Sequence, residues 1–174
     1  TDDKINKKIK AKGLFSKDIK KIINKIDSNK EKSKKDIRDR TLTLLCFHSF
    51  CRRSEILSIQ YEDLIFSNDG DIQVRINFSK TDQTGIGRVI NLAKKDDEYC
   101  PVKALNNWLE VARVDSGPLF YKINKSNNIE KYTMNQKNQK VSLNAASFVL
   151  ILKKRANTAG LDDCDKISGH SLRI

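Results

Sequence analysis

The sequence predicts an α+β domain, mainly helical with a small antiparallel β-sheet. Apolar residues recur at the three-to-four spacing of a helix in four separate stretches, and between the second and third of these the period drops to two. The 174 residues, 38% of them hydrophobic, are enough for one core and too few for two.

The first helix is expected over residues 14–26, where Ile19, Ile22, Ile23 and Ile26 share one face and Ser16 stands where a residue could cap the first turn. Residues 27–35 are charged and carry no period. Residues 36–50 then grow steadily apolar through Leu42, Leu44, Leu45, Cys46 and Phe47, which reads as a buried helix. From Asp71 onward Ile72, Val74, Ile76 and Phe78 alternate with Gln73, Arg75 and Asn77, the repeat of a half-buried strand. Residues 81–87 hold two glycines and lead into Val89, Ile90 and Leu92, so the two apolar segments form an antiparallel hairpin with a flexible tip.

Pro101 occupies a first helical position, and Val102, Leu105, Trp108, Leu109 and Ala112 supply an apolar face behind it, with Trp108 in the core. Residues 116–140 are polar and unperiodic, a surface excursion from which Leu119 and Phe120 dip inward. Residues 144–157 are helical again, with Ala145, Phe148, Val149 and Leu152 on one side and Gly160 as terminator. No internal repeat is present.

Lys and Arg number 34 against 22 Asp and Glu, a net charge of +12, and such a field favours a polyanionic partner. Abundant Lys, Ile and Asn in an AT-rich genome would produce the same charge, so charge alone leaves both readings open. The four cysteines, Cys46, Cys51, Cys100 and Cys164, form no C-x-x-C pair and suggest neither zinc nor a disulfide framework. No apolar run approaches membrane-spanning length and no signal region opens the chain, so no membrane association and a cytoplasmic location are expected. Because the first residue is Thr1, the sequence is expected to be an excised segment.

Three short segments carry candidate chemistry. Arg52-Arg53-Ser54-Glu55-Ile56-Leu57 follows the buried helix directly, placing a guanidinium at the surface or against an anion. Phe78-Ser79-Lys80-Thr81 ends the strand beside the hairpin tip; alone, Lys80 reads as a solvated lysine. Ser168-Gly169-His170-Ser171-Leu172-Arg173 places His170 and Arg173 three apart, on one face if the segment is helical.

In this order the three segments resemble the tyrosine recombinases of the phage integrase family. There an Arg-x-Ser-Glu-Leu/Ile box follows a hydrophobic helix, a lysine lies on a β-hairpin, and a His-x-x-Arg box follows a helix ending in Ala-Gly, here Ala159-Gly160. Arg88-Val89-Ile90-Asn91-Leu92, Cys100-Pro101-Val102 and Pro118-Leu119-Phe120 are also similar to family members, and the likeness runs from near Lys10 to the last residue. The one-residue gap before Ser-Glu selects Arg52, leaving Arg53 at the variable position without a catalytic role. Glu55 matches the family's acidic residue and is expected to organise the arginine.

The resemblance implies the recombinase catalytic-domain fold over residues 1–174 and a reaction that breaks and rejoins double-stranded DNA without metal or other cofactor. A phosphodiester repels nucleophiles and has a poor leaving group. Arg52 and Arg173 would grip its non-bridging oxygens with permanently charged planar forks. Lys80 would protonate the departing 5′-oxygen, and His170 would bond the phosphate and move protons. The family's nucleophile is a tyrosine after the His-x-x-Arg box, which conserves bond energy in a 3′-phosphotyrosyl link. Tyr61, Tyr99, Tyr121 and Tyr132 all precede the box and read as structural, so the nucleophile, like the family's N-terminal DNA clamp, is expected to lie outside this sequence. His48 matches no family position and reads as a satisfied core residue.

The full-length enzyme would assemble as a tetrameric synapse on DNA in the bacterial cytoplasm or nucleoid, acting in integration, resolution or transposition. The rival reading is a decayed or regulatory DNA-binding relative that does not cleave. A plain basic nucleic-acid-binding module does not account for the ordered boxes and hairpin, and the type IB topoisomerases, which share the chemistry, fit the Cys-Pro-Val and His-Ser-Leu-Arg neighbourhoods less well.

Overall fold

The computed structural model describes residues 10–77 and 85–172. Lys80, Arg173 and the predicted strand end at Phe78 fall outside these residues. Helix α1 spans Ser16–Asp27 and buries Ile19, Ile22, Ile23 and Ile26, the stripe seen in the sequence. Its cap differs from expectation. Phe15, not Ser16, holds the extended capping position, and the Asp18 carboxylate accepts from the Phe15 N–H at 3.0 Å. An acid at the third helical position satisfies the donor that Ser16, already helical, has no geometry to reach.

Helix α2, Lys34–Ser49, starts two residues earlier than the apolar run suggests. Ser33 Oγ accepts from the Asp36 N–H while Asp36 accepts from the Ser33 N–H, a reciprocal pair that starts the helix inside the charged stretch. This helix packs against α1, the short α3 (Arg53–Ser58), α4 (Pro101–Ala112), α5 (Ala145–Thr158) and the sheet, so it is buried nearly all round. Thr41, fully buried on it, donates from Oγ1 to Ile37 O and stands 3.0 Å from Ala104 O of α4.

The sheet has three antiparallel strands in the order β1 (Leu64–Phe66), β2 (Ile72–Ile76) and β3 (Arg88–Leu92). The hairpin reading of β2 and β3 holds, with Val74 opposite Ile90 and Ile76 opposite Arg88. β1 is the addition, paired through Leu64 and Val74. Where the chain leaves the hairpin tip, Gly87 has a φ of 72° and no room for a side chain, because a Cβ would stand 2.6 Å from Ile76 O.

Trp108 is fully buried on α4, stacks on Phe120 at 5.9 Å, and donates from Nε1 to Leu119 O at 2.7 Å. That bond pins the surface excursion to the core where the sequence suggested it would dip inward. A second fixing point lies under α5. Asn144 caps that helix by accepting from the Ala146 N–H, and Arg155 pairs with both Asp36 and Asp39 of α2, at 2.7 and 2.8 Å. Arg38 completes the cluster by bonding Asp39 and Tyr121 O. Burial opposes the Asp36 charge, but Ser33 and Arg155 outweigh it and hold the carboxyl below its ordinary range.

Candidate phosphate-handling site

The C-terminal end of α2 closes with Phe50 in the left-handed region, φ 55°, which reverses the chain and delivers Cys51 and Arg52 to the start of α3. Arg52 is the extended capping residue of that helix, and Glu55 is its third residue. The same acid-at-third-position device used on α1 and α2 operates here, with the Arg52 N–H donating to Glu55 Oε2 at 2.6 Å. Glu55 is 4% exposed, so its second oxygen also needs a partner, and it meets Arg52 Nη1 at 3.4 Å. One carboxylate thus fixes both the backbone and the guanidinium of Arg52. An organiser of Arg52 requires contacts of this kind.

Glu55 holds a second guanidinium that the sequence reading left without a role. Arg88, the first residue of β3, donates from Nη2 to Glu55 Oε2 and also to Cys51 Sγ, each at 3.2 Å. Its side chain is 52% exposed and that of Arg52 is 32% exposed, so neither arginine is sealed from solvent. Two cations on one buried anion leave the cluster net positive. The signal that could have found Arg88 was its strand position, which β-pairing carries back beside α3.

His170 lies in a turn at residues 168–172, so its described part is not helical. The turn is self-wired: Ser171 Oγ accepts from the Ser168 N–H at 2.8 Å, and the Ser171 N–H donates to Ser168 O. Leu172 is buried and His170 is exposed, so the turn presents the imidazole outward. Backbone bonds from Lys12 N–H to Lys166 O and from Leu14 N–H to Ser171 O tie this segment to the chain's opening residues. Arg53 lines one narrow crevice with Ser168, Gly169 and Leu172 of this turn. The boxes carrying Arg52 and His170 are therefore neighbours in space.

The four tyrosines and the second histidine have different surroundings. Tyr99 donates from its hydroxyl to Asn24 Oδ1, Tyr61 tilts against Phe66, Tyr121 is buried, and Tyr132 is 85% exposed on the excursion. Burial pushes the Tyr121 phenol up, against forming a nucleophilic phenolate. His48 is half-buried rather than in the core, with Nε2 3.2 Å from Tyr99 O and Nδ1 3.4 Å from Lys95 Nζ. Burial and then the Lys95 charge hold it below the usual imidazole range. The four cysteines are free, and burial raises the Cys46 and Cys51 thiols, which keeps them protonated. No helix among the described residues is long and apolar enough to cross a membrane.

A cleft of about 580 Å³ opens at the other end of α2, lined by Arg38, Asp39, Ile151, Lys154 and Arg155 among others, and it holds none of the residues singled out in the sequence.

A mainly helical fold with a three-stranded sheet, two guanidiniums fixed on one buried carboxylate and an outward imidazole nearby is an arrangement suited to a phosphodiester. The sequence model of the phage integrase family matches residues 12–174, and the chain belongs to that family. It is 38% identical over 138 residues to an integrase/recombinase xerD homolog of Selenomonas ruminantium, covering 79% of this chain and 37% of that protein. Among solved structures it is similar to the XerH site-specific recombinase bound to difH substrate in a pre-cleavage complex, with a TM-score of 0.58, 22% identity and coverage of 92% of this chain and 40% of that one. It is also similar to an Flpe–Holliday junction complex, with a TM-score of 0.55, 21% identity and coverage of 89% and 38%. The fold is that of these recombinases, and the chain spans well under half the length of the relatives just described.

Proposed function

We propose that this chain is the catalytic domain of a site-specific recombinase that cuts duplex DNA through a 3′-phosphotyrosyl intermediate and rejoins it. The observation that carries the reading is the Glu55 cluster, which fixes both the backbone and the guanidinium of Arg52 close to the turn that presents His170. A preorganised guanidinium of this kind costs nothing to reorient as charge builds on the phosphate. In this reading Arg52 and Arg173 take the non-bridging oxygens and His170 bonds the phosphate. Lys80 donates its proton to the 5′-oxygen as the P–O bond breaks, while the tyrosine oxygen forms its bond to phosphorus and passes its own proton on by way of His170. The reverse attack by a 5′-hydroxyl releases the tyrosine, so neither metal nor ATP is required. In this reading none of Tyr61, Tyr99, Tyr121 and Tyr132, all of which precede the His-x-x-Arg segment, is the nucleophile. The partner is double-stranded DNA, the working form is a tetrameric synapse, and the place is the cytoplasm or nucleoid. The XerH complex with difH substrate and the Flpe complex with a Holliday junction support the choice of partner.

The test uses the full-length product of the gene with a nicked suicide duplex. A covalent protein–DNA adduct should form and should fall by about a hundredfold in rate for Arg52→Ala, the scale of losing one preorganised transition-state donor. Duplex binding without an adduct would overturn the enzymatic reading in favour of a DNA-binding relative that no longer cleaves.

A further inference from the structure

Glu55 is shared between two arginines, and the division is unequal. Its Oε2 accepts both the Arg52 N–H, at 2.6 Å, and Arg88 Nη2, at 3.2 Å, while Oε1 meets Arg52 Nη1 at 3.4 Å, near the outer limit of a hydrogen bond. The shorter of the two guanidinium contacts is therefore that of Arg88. Arg88 is itself fixed at two places. Its backbone opens β3, paired opposite Ile76. Its Nη2, which carries two N–H groups, has a second acceptor in Cys51 Sγ at 3.2 Å. Cys51 is buried and immediately precedes Arg52, so the strand and the Arg52 box meet through this one side chain.

We propose that Arg88 is a positioning residue: it takes up part of the Glu55 charge and so keeps that carboxylate from drawing the Arg52 guanidinium away from a substrate phosphate. A carboxylate only 4% exposed has little water to share its charge, so the cations beside it divide that charge between them. Without Arg88 the attraction falls undivided on Arg52, the other guanidinium bonded to Glu55. A phosphate would then compete with Glu55 for the same fork. Arg88 thus acts through Glu55 and needs no contact with the reacting atoms. The inference rests on the recombinase function proposed above. Arg75 supplies the comparison, because it is an exposed arginine on the neighbouring strand β2, opposite Val89.

The test uses the full-length product of the gene and the nicked suicide duplex. At saturating duplex, Arg88→Gln should lower the rate of adduct formation about tenfold, within the range of coupling between contacting residues. Arg75→Gln removes the same charge from the same sheet; it should weaken duplex binding but leave the saturated rate within about twofold of the unsubstituted protein. In a Glu55→Gln background, adding Arg88→Gln should change the rate by less than about twofold, because the carboxylate through which Arg88 acts is gone. An equal fall in both backgrounds would overturn the proposal and make Arg88 a DNA contact in its own right. A saturated rate for Arg88→Gln no lower than that for Arg75→Gln would overturn it too. If Arg88→Gln does not fold, Arg88→Lys is measured instead. One donor pattern short, it should lower the rate about threefold beside Glu55 and leave it unchanged in the Glu55→Gln background, equal effects again refuting the idea. An unsubstituted protein that binds the duplex without forming an adduct would remove the function proposed above. The coupling is then read from the Arg52 Nε–H resonance, identified by its loss in Arg52→Ala. It should move in Arg88→Gln or Arg88→Lys and hold still in Arg75→Gln, and a resonance that ignores Arg88 would sink this proposal separately.

Discussion

Replacing Glu55 by Gln changes one atom and separates what the carboxylate does for folding from what it does to charge. The amide keeps an acceptor for the Arg52 N–H, now 2.6 Å away, but surrenders the attraction to Arg52 and Arg88. Breaking a fully buried pair costs about 3–5 kcal/mol. That scale does not apply here, because the Arg52 and Arg88 side chains are 32% and 52% exposed and water can replace the anion. Exposed pairs contribute roughly 0.2–1 kcal/mol each, and the amide escapes the burial cost of the carboxylate, so a net loss of about 1 kcal/mol is expected. With a denaturant slope near 2 kcal/mol per molar, the urea midpoint should fall by about 0.5 M. Trp108, the single tryptophan and fully buried, reports the transition by its emission. Duplex binding should move the opposite way. Removing the anion takes one negative charge from beside two guanidiniums, and one added phosphate contact would steepen the salt dependence by roughly 0.9 in log K against log salt. Weaker duplex binding together with unchanged stability would refute the picture of Glu55 as the group that holds both arginines.

Arg155→Met should cost about 2–4 kcal/mol in urea unfolding, because it leaves Asp36 and Asp39 without their shared partner while Ser33 and Arg38 compensate only in part. The depressed Asp36 carboxyl stabilises the fold above the ordinary aspartate pKa, about 3.9, and that stability is lost as the pH falls through its lower folded value. Asp36→Asn should therefore flatten the acid limb of a stability-against-pH curve. Phe50→Gly should leave stability equal or raise it by about 0.5–1 kcal/mol, since a left-handed φ costs an L-residue roughly 1–2 kcal/mol and glycine returns part of that as chain entropy. Phe50 is 62% exposed, so little packing is lost, and a fall in urea midpoint would show that its ring has a partner.

The elements legible in the sequence were those whose period outlasted noise. The Ile19, Ile22, Ile23 and Ile26 stripe, the alternation of β2 and the Trp108 face were each visible because a dozen residues or a strict repeat carried them. Helix α3 and strand β1, six and three residues long, are too short for periodicity to show. The start of α2 was readable in Ser33-x-x-Asp36 but was masked by the surrounding lysines. For the site, the box around Arg52 and Glu55 was legible as a pattern. Arg88 was not, because the partner that defines it, Glu55, is brought near only by strand pairing. Nothing local distinguishes this arginine from a solvated one.

The bonds from Lys12 and Leu14 to Lys166 and Ser171, with the Lys12 ammonium reaching Asp162 O 150 positions along, join the two extremes of the described chain. Contacts of such sequence separation form late, since loop closure must precede any gain from them. The α2–α4 core can order while the ribosome is still extending the polypeptide, but the His170 turn has no seat until its last residues emerge. Synthesis order thus matters: a chain cut short before residue 166 would carry the Glu55 cluster but leave Lys12 and Leu14 without their backbone partners.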